Sequence, residues 1–111
     1  MSTKYKSYTG KVIMVDLTTG EISEYPVTDD DRDNYLGNKG LAAKILYDNL
    51  EPGMDPLSPE NMIVISTSVL TGTGAPCSSR FNMSTKSPLT GILTSSNSGG
   101  NLGLYLKRAG L

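Results

Sequence analysis

The sequence predicts an α+β fold, a β-rich mixed sheet with short helices, within one unit of 111 residues. Two observations predict it: short β-branched runs bounded by glycine and proline turns, and segments whose apolar residues recur at helical spacing. Hydrophobic residues make up 37% of the chain and charged residues 19%, as is typical of a globular domain. A chain of this length can bury a modest core.

The first third of the chain predicts a β-hairpin followed by a short helix. The apolar run 11–17, a turn ending at Gly20 and the segment 21–26 form the hairpin pattern. Thr28 then precedes three aspartates, which suits a helix N-cap with acids in the first turn. Consecutive carboxylates can also hold a metal ion, but a cap is the commoner role. We expect this helix to end near residues 36–37.

A second helix and an apolar strand are predicted next. From Gly40 to Leu50, apolar residues recur at helical spacing, and Pro52 and Gly53 follow. A proline-stiffened turn over 55–61 leads into the apolar run 62–66. Because this run is unbroken, we predict a strand covered on both faces at the centre of its sheet.

The segment 67–100 is rich in small residues, with five Gly, eight Ser and six Thr. Phe81 and Met83 alternate with polar residues, which predicts a half-buried strand rather than a linker. The segment 94–100 is interpreted as a polar, glycine-ended loop. A last helix is predicted over 101–109, with Leu102, Tyr105, Leu106 and Ala109 on one face and Gly110 as its stop.

The composition excludes several kinds of catalytic site within the chain. It has no His and one Cys, Cys77, so it cannot form a His-based triad, a common zinc site, an internal disulfide or an iron-sulfur cluster by itself. Cys77 is interpreted as a small buried residue without a role. The sequence contains no membrane-spanning apolar stretch and no signal-peptide core, so we expect a cytoplasmic protein without a membrane partner. No nucleic-acid partner is expected either.

Charge divides the chain into two unlike parts. Residues 1 to 60 carry six basic and eleven acidic side chains, whereas residues 61 to 111 carry four basic and none acidic. Two features of the second part suit an anion: the loop 94–100, whose backbone N–H groups precede a helix, and Arg80, which can form paired hydrogen bonds with a carboxylate or phosphate. A structural turn and an ordinary surface arginine are the alternatives.

Several blocks of the sequence, taken in order, are characteristic of a known family. They are Tyr8-Thr9-Gly10-Lys11, Asp16-Leu17-Thr18-Thr19-Gly20, Tyr35-Leu36-Gly37-Asn38-Lys39-Gly40-Leu41-Ala42, Asp55-Pro56-Leu57-Ser58-Pro59-Glu60-Asn61, Leu70-Thr71-Gly72-Thr73, Ala75-Pro76, Arg80, Lys86-Ser87-Pro88-Leu89-Thr90-Gly91, Asn97-Ser98-Gly99-Gly100 and Leu106-Lys107-Arg108-Ala109-Gly110. This succession closely resembles the N-terminus of the aldehyde:ferredoxin oxidoreductase family and covers nearly the whole chain.

The resemblance implies part of a much longer oxidoreductase. Family members are tungsten, occasionally molybdenum, enzymes that oxidise aldehydes to carboxylic acids and pass two electrons through a 4Fe-4S cluster to ferredoxin. The cluster's cysteines belong to later domains. The N-terminal domain is a base for two pterin cofactors and consists of two similar repeats, of which residues 1–111 would be about the first. The chain would thus be about half of a duplicated pterin-binding domain.

The resemblance also implies roles for individual residues. Arg80 matches the arginine between the pterin and the cluster, and Asn97 matches the residue whose backbone carbonyl helps to hold the Mg²⁺ ion bridging the pterin phosphates. Gly99 matches a glycine at the pterin, where a missing Cβ allows close approach. Ser98 and Gly100 are included as neighbours. No catalytic residue is assigned.

The isolated chain is expected to be inactive, because most of the implied cofactor site lies outside it. A repeat that normally packs on its twin would leave apolar surface uncovered, so we expect a homo-oligomer. The alternative functions are a small phosphate- or anion-binding module and a structural interaction module.

Overall fold

The computed structural model describes residues 3–111, which form two small antiparallel sheets and three helices. The predicted α+β class is confirmed. The elements in chain order are β1 (Ile13–Val15), β2 (Ile22–Glu24), α1 (Asp29–Tyr35), α2 (Asn38–Asn49), β3 (Val64–Thr67), β4 (Phe81–Lys86), β5 (Leu93–Ser98) and α3 (Leu102–Arg108).

The hairpin and the first helix form as the sequence predicts. β1 pairs antiparallel with β2, and Gly20 adopts a φ of 75° in the turn between them. Thr28 caps α1: its hydroxyl accepts a hydrogen bond from the Asp31 amide, and the Asp31 carboxylate accepts one from the Thr28 amide. This reciprocal pair is a capping box. The acidic run therefore serves the helix start, as interpreted.

A buried arginine joins α1 to the segments before it. Arg32 is only 4% exposed, and its guanidinium donates to the Val27 carbonyl at 3.1 Å, the Gly10 carbonyl at 3.4 Å and the Asp29 carboxylate at 3.0 Å. The guanidinium also lies 5.6 Å from the centre of the Tyr8 ring. One side chain thus holds the N-terminal segment, the end of the hairpin and α1 together.

α2 supplies most of the apolar core. Ala42, Ile45 and Leu46 are buried, and Val27 is the fourth buried apolar residue of the described chain. The helix begins at Asn38, two residues before the predicted start, and ends at Asn49. Within residues 3–111, no helix combines the length and the apolar character needed to cross a bilayer.

The second sheet has the order β3-β4-β5, with both pairs antiparallel. β4 is therefore central, and the prediction that the apolar strand near residues 62–66 would be central is wrong. β3 occupies an edge, and Ile63 and Ile65 are 62% and 51% exposed. An unbroken apolar run gives a fully buried strand only when other elements cover both of its faces. The described residues cover one face of β3.

The face of β4 that packs against α2 is polar. The alternation of Phe81 and Met83 with polar residues had predicted that the apolar face would be the buried one. Asn82 and Ser84 are 2% and 0% exposed, whereas Met83 on the opposite face is 39% exposed. Ser84 donates a 2.6 Å hydrogen bond to the Asn82 side chain, which compensates for their burial beneath α2. Residues of small volume allow the helix to pack close to the sheet.

α3 closes the described chain, but it buries a different face from the predicted one. Gly103 is buried, and a Cβ there would lie 3.3 Å from the Arg80 carbonyl oxygen. Leu102 and Tyr105 are exposed. The close approach at Gly103 selects the buried face, because only a glycine lets this turn of the helix contact backbone. Gly110, with a φ of 92°, ends the helix as predicted.

We predict that Arg32→Met lowers the free energy of unfolding by about 2–4 kcal/mol, because two buried carbonyls lose this donor and the Asp29 carboxylate loses one of its three. Urea denaturation of the 111-residue chain measures the change. Lys39→Met removes an exposed cation from α2 and should change stability by less than about 0.5 kcal/mol. A loss below about 1 kcal/mol for Arg32→Met would contradict the central role given to this side chain.

Candidate functional site

The pairing of β4 with β5 brings the predicted site residues together. Phe81 pairs with Ser98 and Asn82 with Asn97, so Arg80, which precedes β4, lies beside the turn that follows β5. A Cβ at Gly99 would lie 3.9 Å from Arg80 Nη1. The structure thus gathers Arg80, Asn97, Ser98, Gly99 and Gly100 at one corner of the sheet.

The segment 94–100 is mostly strand, so its interpretation as a loop is wrong. Residues 94–98 belong to β5, and only the two glycines and Asn101 separate the strand from α3. Polar residues form this strand because β5 is an edge strand whose side chains are largely exposed. An edge strand also leaves backbone N–H and carbonyl groups without a partner strand. The predicted site therefore has exposed backbone, presented by a sheet edge.

The fold requires a glycine at one position of the turn and not at the other. Gly100 has a φ of 93°, which disfavours any side chain, and its carbonyl accepts a 2.7 Å hydrogen bond from the Ser79 hydroxyl. Gly99 has no such backbone requirement, and a Cβ at this position would meet its nearest neighbours at ordinary contact distance. Nothing within residues 3–111 therefore explains the absence of a side chain at Gly99.

The corner carries an uncompensated positive charge. Arg80 is exposed, and no carboxylate within residues 3–111 forms an ion pair with it. Lys86 and Lys107, by contrast, donate to backbone carbonyls. In the part of the chain that the structure describes, no three His, Cys, Asp or Glu side chains group as metal ligands. A cation held at this corner would need other ligands, such as backbone carbonyls.

Sequence reasoning missed the residues that hold the backbone of Arg80. Thr71 is 1% exposed, and its hydroxyl lies 3.0 Å from the Ser78 carbonyl oxygen and 3.2 Å from that of Arg80. Ser79 ties the same stretch to Gly100. Thr71 belongs to a Leu-Thr-Gly triplet that occurs twice in the sequence and to one of the blocks that resemble the family, and these were the available signs of its importance.

Cys77 lies outside the site, and its interpretation as a buried residue is wrong. Its side chain is exposed, and its backbone has a φ of 57° in the turn before β4. Turn geometry places this residue at the surface.

In this small α+β unit, an exposed arginine beside a glycine turn offers hydrogen-bond donors of the kind that anions accept. The sequence profile of a family described as "Aldehyde ferredoxin oxidoreductase, N-terminal domain" matches residues 12–111. The chain belongs to this family, and the predicted resemblance is confirmed.

Similar proteins include tungsten-containing aldehyde ferredoxin oxidoreductases of Pyrococcus furiosus, 46% identical over 101 residues, and Thermococcus kodakarensis, 44% identical over 101 residues. Each match covers 91% of this chain and 17% of the relative, so the chain spans about one sixth of their length. An aliphatic sulfonate oxidoreductase WOR-like subunit of P. furiosus is 34% identical over 107 residues, covering 94% of this chain and 17% of that protein.

A solved structure has the same fold. It is described as the active site complex BamBC of benzoyl coenzyme A reductase with 1,5-dienoyl-CoA, and its matching chain has a TM-score of 0.90 and 40% identity. The match covers 94% of this chain and 16% of that chain. Proteins described by different substrates therefore contain a unit of this fold.

We predict that alanine substitutions separate the two glycines. Gly100→Ala should lower the free energy of unfolding by about 1–2 kcal/mol, because alanine is strained at this φ. Gly99→Ala should change it by less than about 0.5 kcal/mol, since space is available. Urea denaturation of both variants measures the difference, and equal losses would mean that Gly99 is also fixed by the fold.

Proposed function

We propose that this chain is the tungstopterin-binding N-terminal portion of an oxidoreductase that oxidises aldehydes to carboxylic acids with ferredoxin as electron acceptor. The observation that carries the proposal is the corner where Arg80 lies beside the exposed Gly99-Gly100 turn, in a chain 46% identical to an aldehyde oxidoreductase described as tungsten-containing. The isolated chain is proposed to be inactive.

The chemistry of the corner suits a phosphate-bearing pterin. An exposed guanidinium can donate paired hydrogen bonds to oxygen acceptors, and no acid occurs after residue 60 to repel an anion. Residues 3–111 leave space for a side chain at Gly99, so the described chain itself does not require a glycine there. A pterin approaching the main chain would require one, as a Cβ would occupy the space it needs.

Each residue has a separate part in this proposal. Arg80 would hold and orient the pterin and keep a fixed positive charge beside it, while Thr71 and Ser79 hold the backbone around that arginine. Asn97, on the edge strand, would offer its backbone carbonyl to the Mg²⁺ ion that neutralises the pterin phosphates. Ser98, Gly99 and Gly100 would leave the main chain accessible.

The bound tungsten (or molybdenum) bis-pterin would supply the redox chemistry, taking two electrons as an aldehyde and water become a carboxylic acid and two protons. A 4Fe-4S cluster, with ligands outside this chain, would pass these electrons to ferredoxin one at a time. Aldehyde is the proposed substrate because the most similar of the relatives named above are aldehyde oxidoreductases. A cytoplasmic location is part of the same proposal.

We predict that replacing the arginine at the position of Arg80 by glutamine in a full-length relative lowers cofactor retention roughly tenfold. Tungsten content by mass spectrometry and pterin content by fluorescence after oxidation measure the loss. The Asn97→Ala equivalent should retain both, because its backbone carbonyl remains. The Lys11→Gln equivalent removes an exposed cation beside the hairpin as a control. Unchanged cofactor content in the arginine variant would reject its assigned role.

The described chain also exposes an apolar surface on the side of the second sheet opposite α2. Ile65 and Met83 pair across β3 and β4 and are 51% and 39% exposed. The proposal extends to the domain: residues 1–111 form the first of two similar repeats, and this surface allows the isolated chain to form a homo-oligomer. Burial of apolar area between two copies would drive the association.

We predict that the chain elutes as a dimer or larger species at micromolar concentration in size-exclusion chromatography with light scattering. Ile65→Lys should shift it to the monomer, since a charge would then lie in the interface. Leu17→Lys, at a 93% exposed position of the hairpin turn, is the matched control and should leave the elution unchanged. A monomeric wild-type chain would refute the proposed association.

A further inference from the structure

A cationic cavity, separate from the Arg80 corner, lies between the N-terminal segment, the turn 71–73 and the last turns of α3. Its volume is about 240 Å³, and its lining includes Lys6, Lys107 and Arg108 but no acidic residue. It shares no lining residue with the corner formed by Arg80 and residues 97–100. This volume is below the range of about 300–1,000 Å³ typical of pockets for drug-sized ligands, so it suits a small ligand or a small group of a larger one.

Lys107 is the best-defined group of this cavity. Its ammonium donates to the Ser7 carbonyl at 2.8 Å and to the Val69 carbonyl at 2.9 Å, which leaves one of its three N–H bonds available. Both bonds fix the position of the charge. Partial burial lowers the pKa of Lys107, and in the described part of the chain no carboxylate offsets that cost.

The other two cations, Lys6 and Arg108, are exposed and have no carboxylate partner in the range 3–111. They reach the cavity from different elements, one from the N-terminal segment and one from α3. All three cations line the same cavity with no carboxylate among the lining residues, so an anion bound there would be attracted by each of them.

From this arrangement we propose that the cavity is a binding site for phosphate, either as the free ion or as a phosphate monoester. The charge selects the ligand class, because a phosphate group carries about −1.5 to −2 at pH 7 and matches three cations better than a single carboxylate does. Arg108 can supply a pair of parallel donors, and Lys107 a pre-positioned one. The turn 71–73 adds two threonines to the wall.

Titration of the ¹⁵N-labelled 111-residue chain with sodium phosphate at constant ionic strength tests the proposal by NMR. We expect saturable shifts of the amides of residues 71–73 and 104–108. Lys6→Gln and Arg108→Gln should each weaken binding about fivefold to tenfold, since each removes a charge-assisted contact from an exposed position. Lys11→Gln removes a cation near the hairpin and should change binding less than twofold. The spectra also report whether each variant is folded.

Parallel titrations with phenyl phosphate and acetate identify the source and the class of ligand. Tighter binding of phenyl phosphate would support a monoester site, and equal or tighter binding of the inorganic ion would support a site for the free ion. Acetate binding as tight as that of phosphate would overturn the assignment. Absence of saturation, shifts confined to residues 97–100, or equal weakening by Lys11→Gln would overturn it as well. Arg80→Gln should not alter the shifts at residues 71–73, whichever function the Arg80 corner serves.

Discussion

The antiparallel register between β4 and β5 is the constraint on which the candidate site depends. Because Phe81 pairs with Ser98, the residue before one strand and the turn after the other meet at one corner. A shift of one residue would exchange the two faces of β5 and move Arg80 away from Gly99. Thr71 and Gly103 reinforce the register from outside the sheet, one by hydrogen bonding to the Arg80 carbonyl and the other by close packing against it.

The interior of the described chain is less apolar than its composition suggests. Four apolar residues are buried, while Asn82, Ser84, Thr71 and Arg32 are buried with hydrogen-bond partners. Many large apolar side chains lie instead at the surface. Stability therefore depends strongly on satisfied polar groups, which tolerate replacement poorly since each loss leaves a buried partner without its bond.

Features of the fold that depend on residues close in sequence were predictable, whereas features that depend on which distant segments pair were not. The Thr28 cap, the Gly20 turn and the apolar face of α2 each follow from residues close in sequence, and all three are present. The edge position of β3, the polar inner face of β4 and the strand at 94–98 depend on which segments pair, which no local pattern encodes. At the site, residue chemistry pointed to Arg80 and the segment 94–100, and the family resemblance singled out Gly99. Thr71 and Ser79 act through backbone contacts that composition does not mark.

The bond between Lys107 and the Ser7 carbonyl spans 100 residues of sequence and has a consequence for synthesis. A ribosome releases Ser7 long before Lys107, so the ammonium that bonds this carbonyl emerges only after nearly all the described elements have been made. Contacts with α1 hold the segment in the meantime: Thr3 and Lys4 donate to the Asp29 carboxylate, and Arg32 donates to the Gly10 carbonyl. Closure of such a long loop is entropically costly until the intervening structure has shortened it. The contact at Ser7 is thus among the last to form, after α1 has already bound the residues around it.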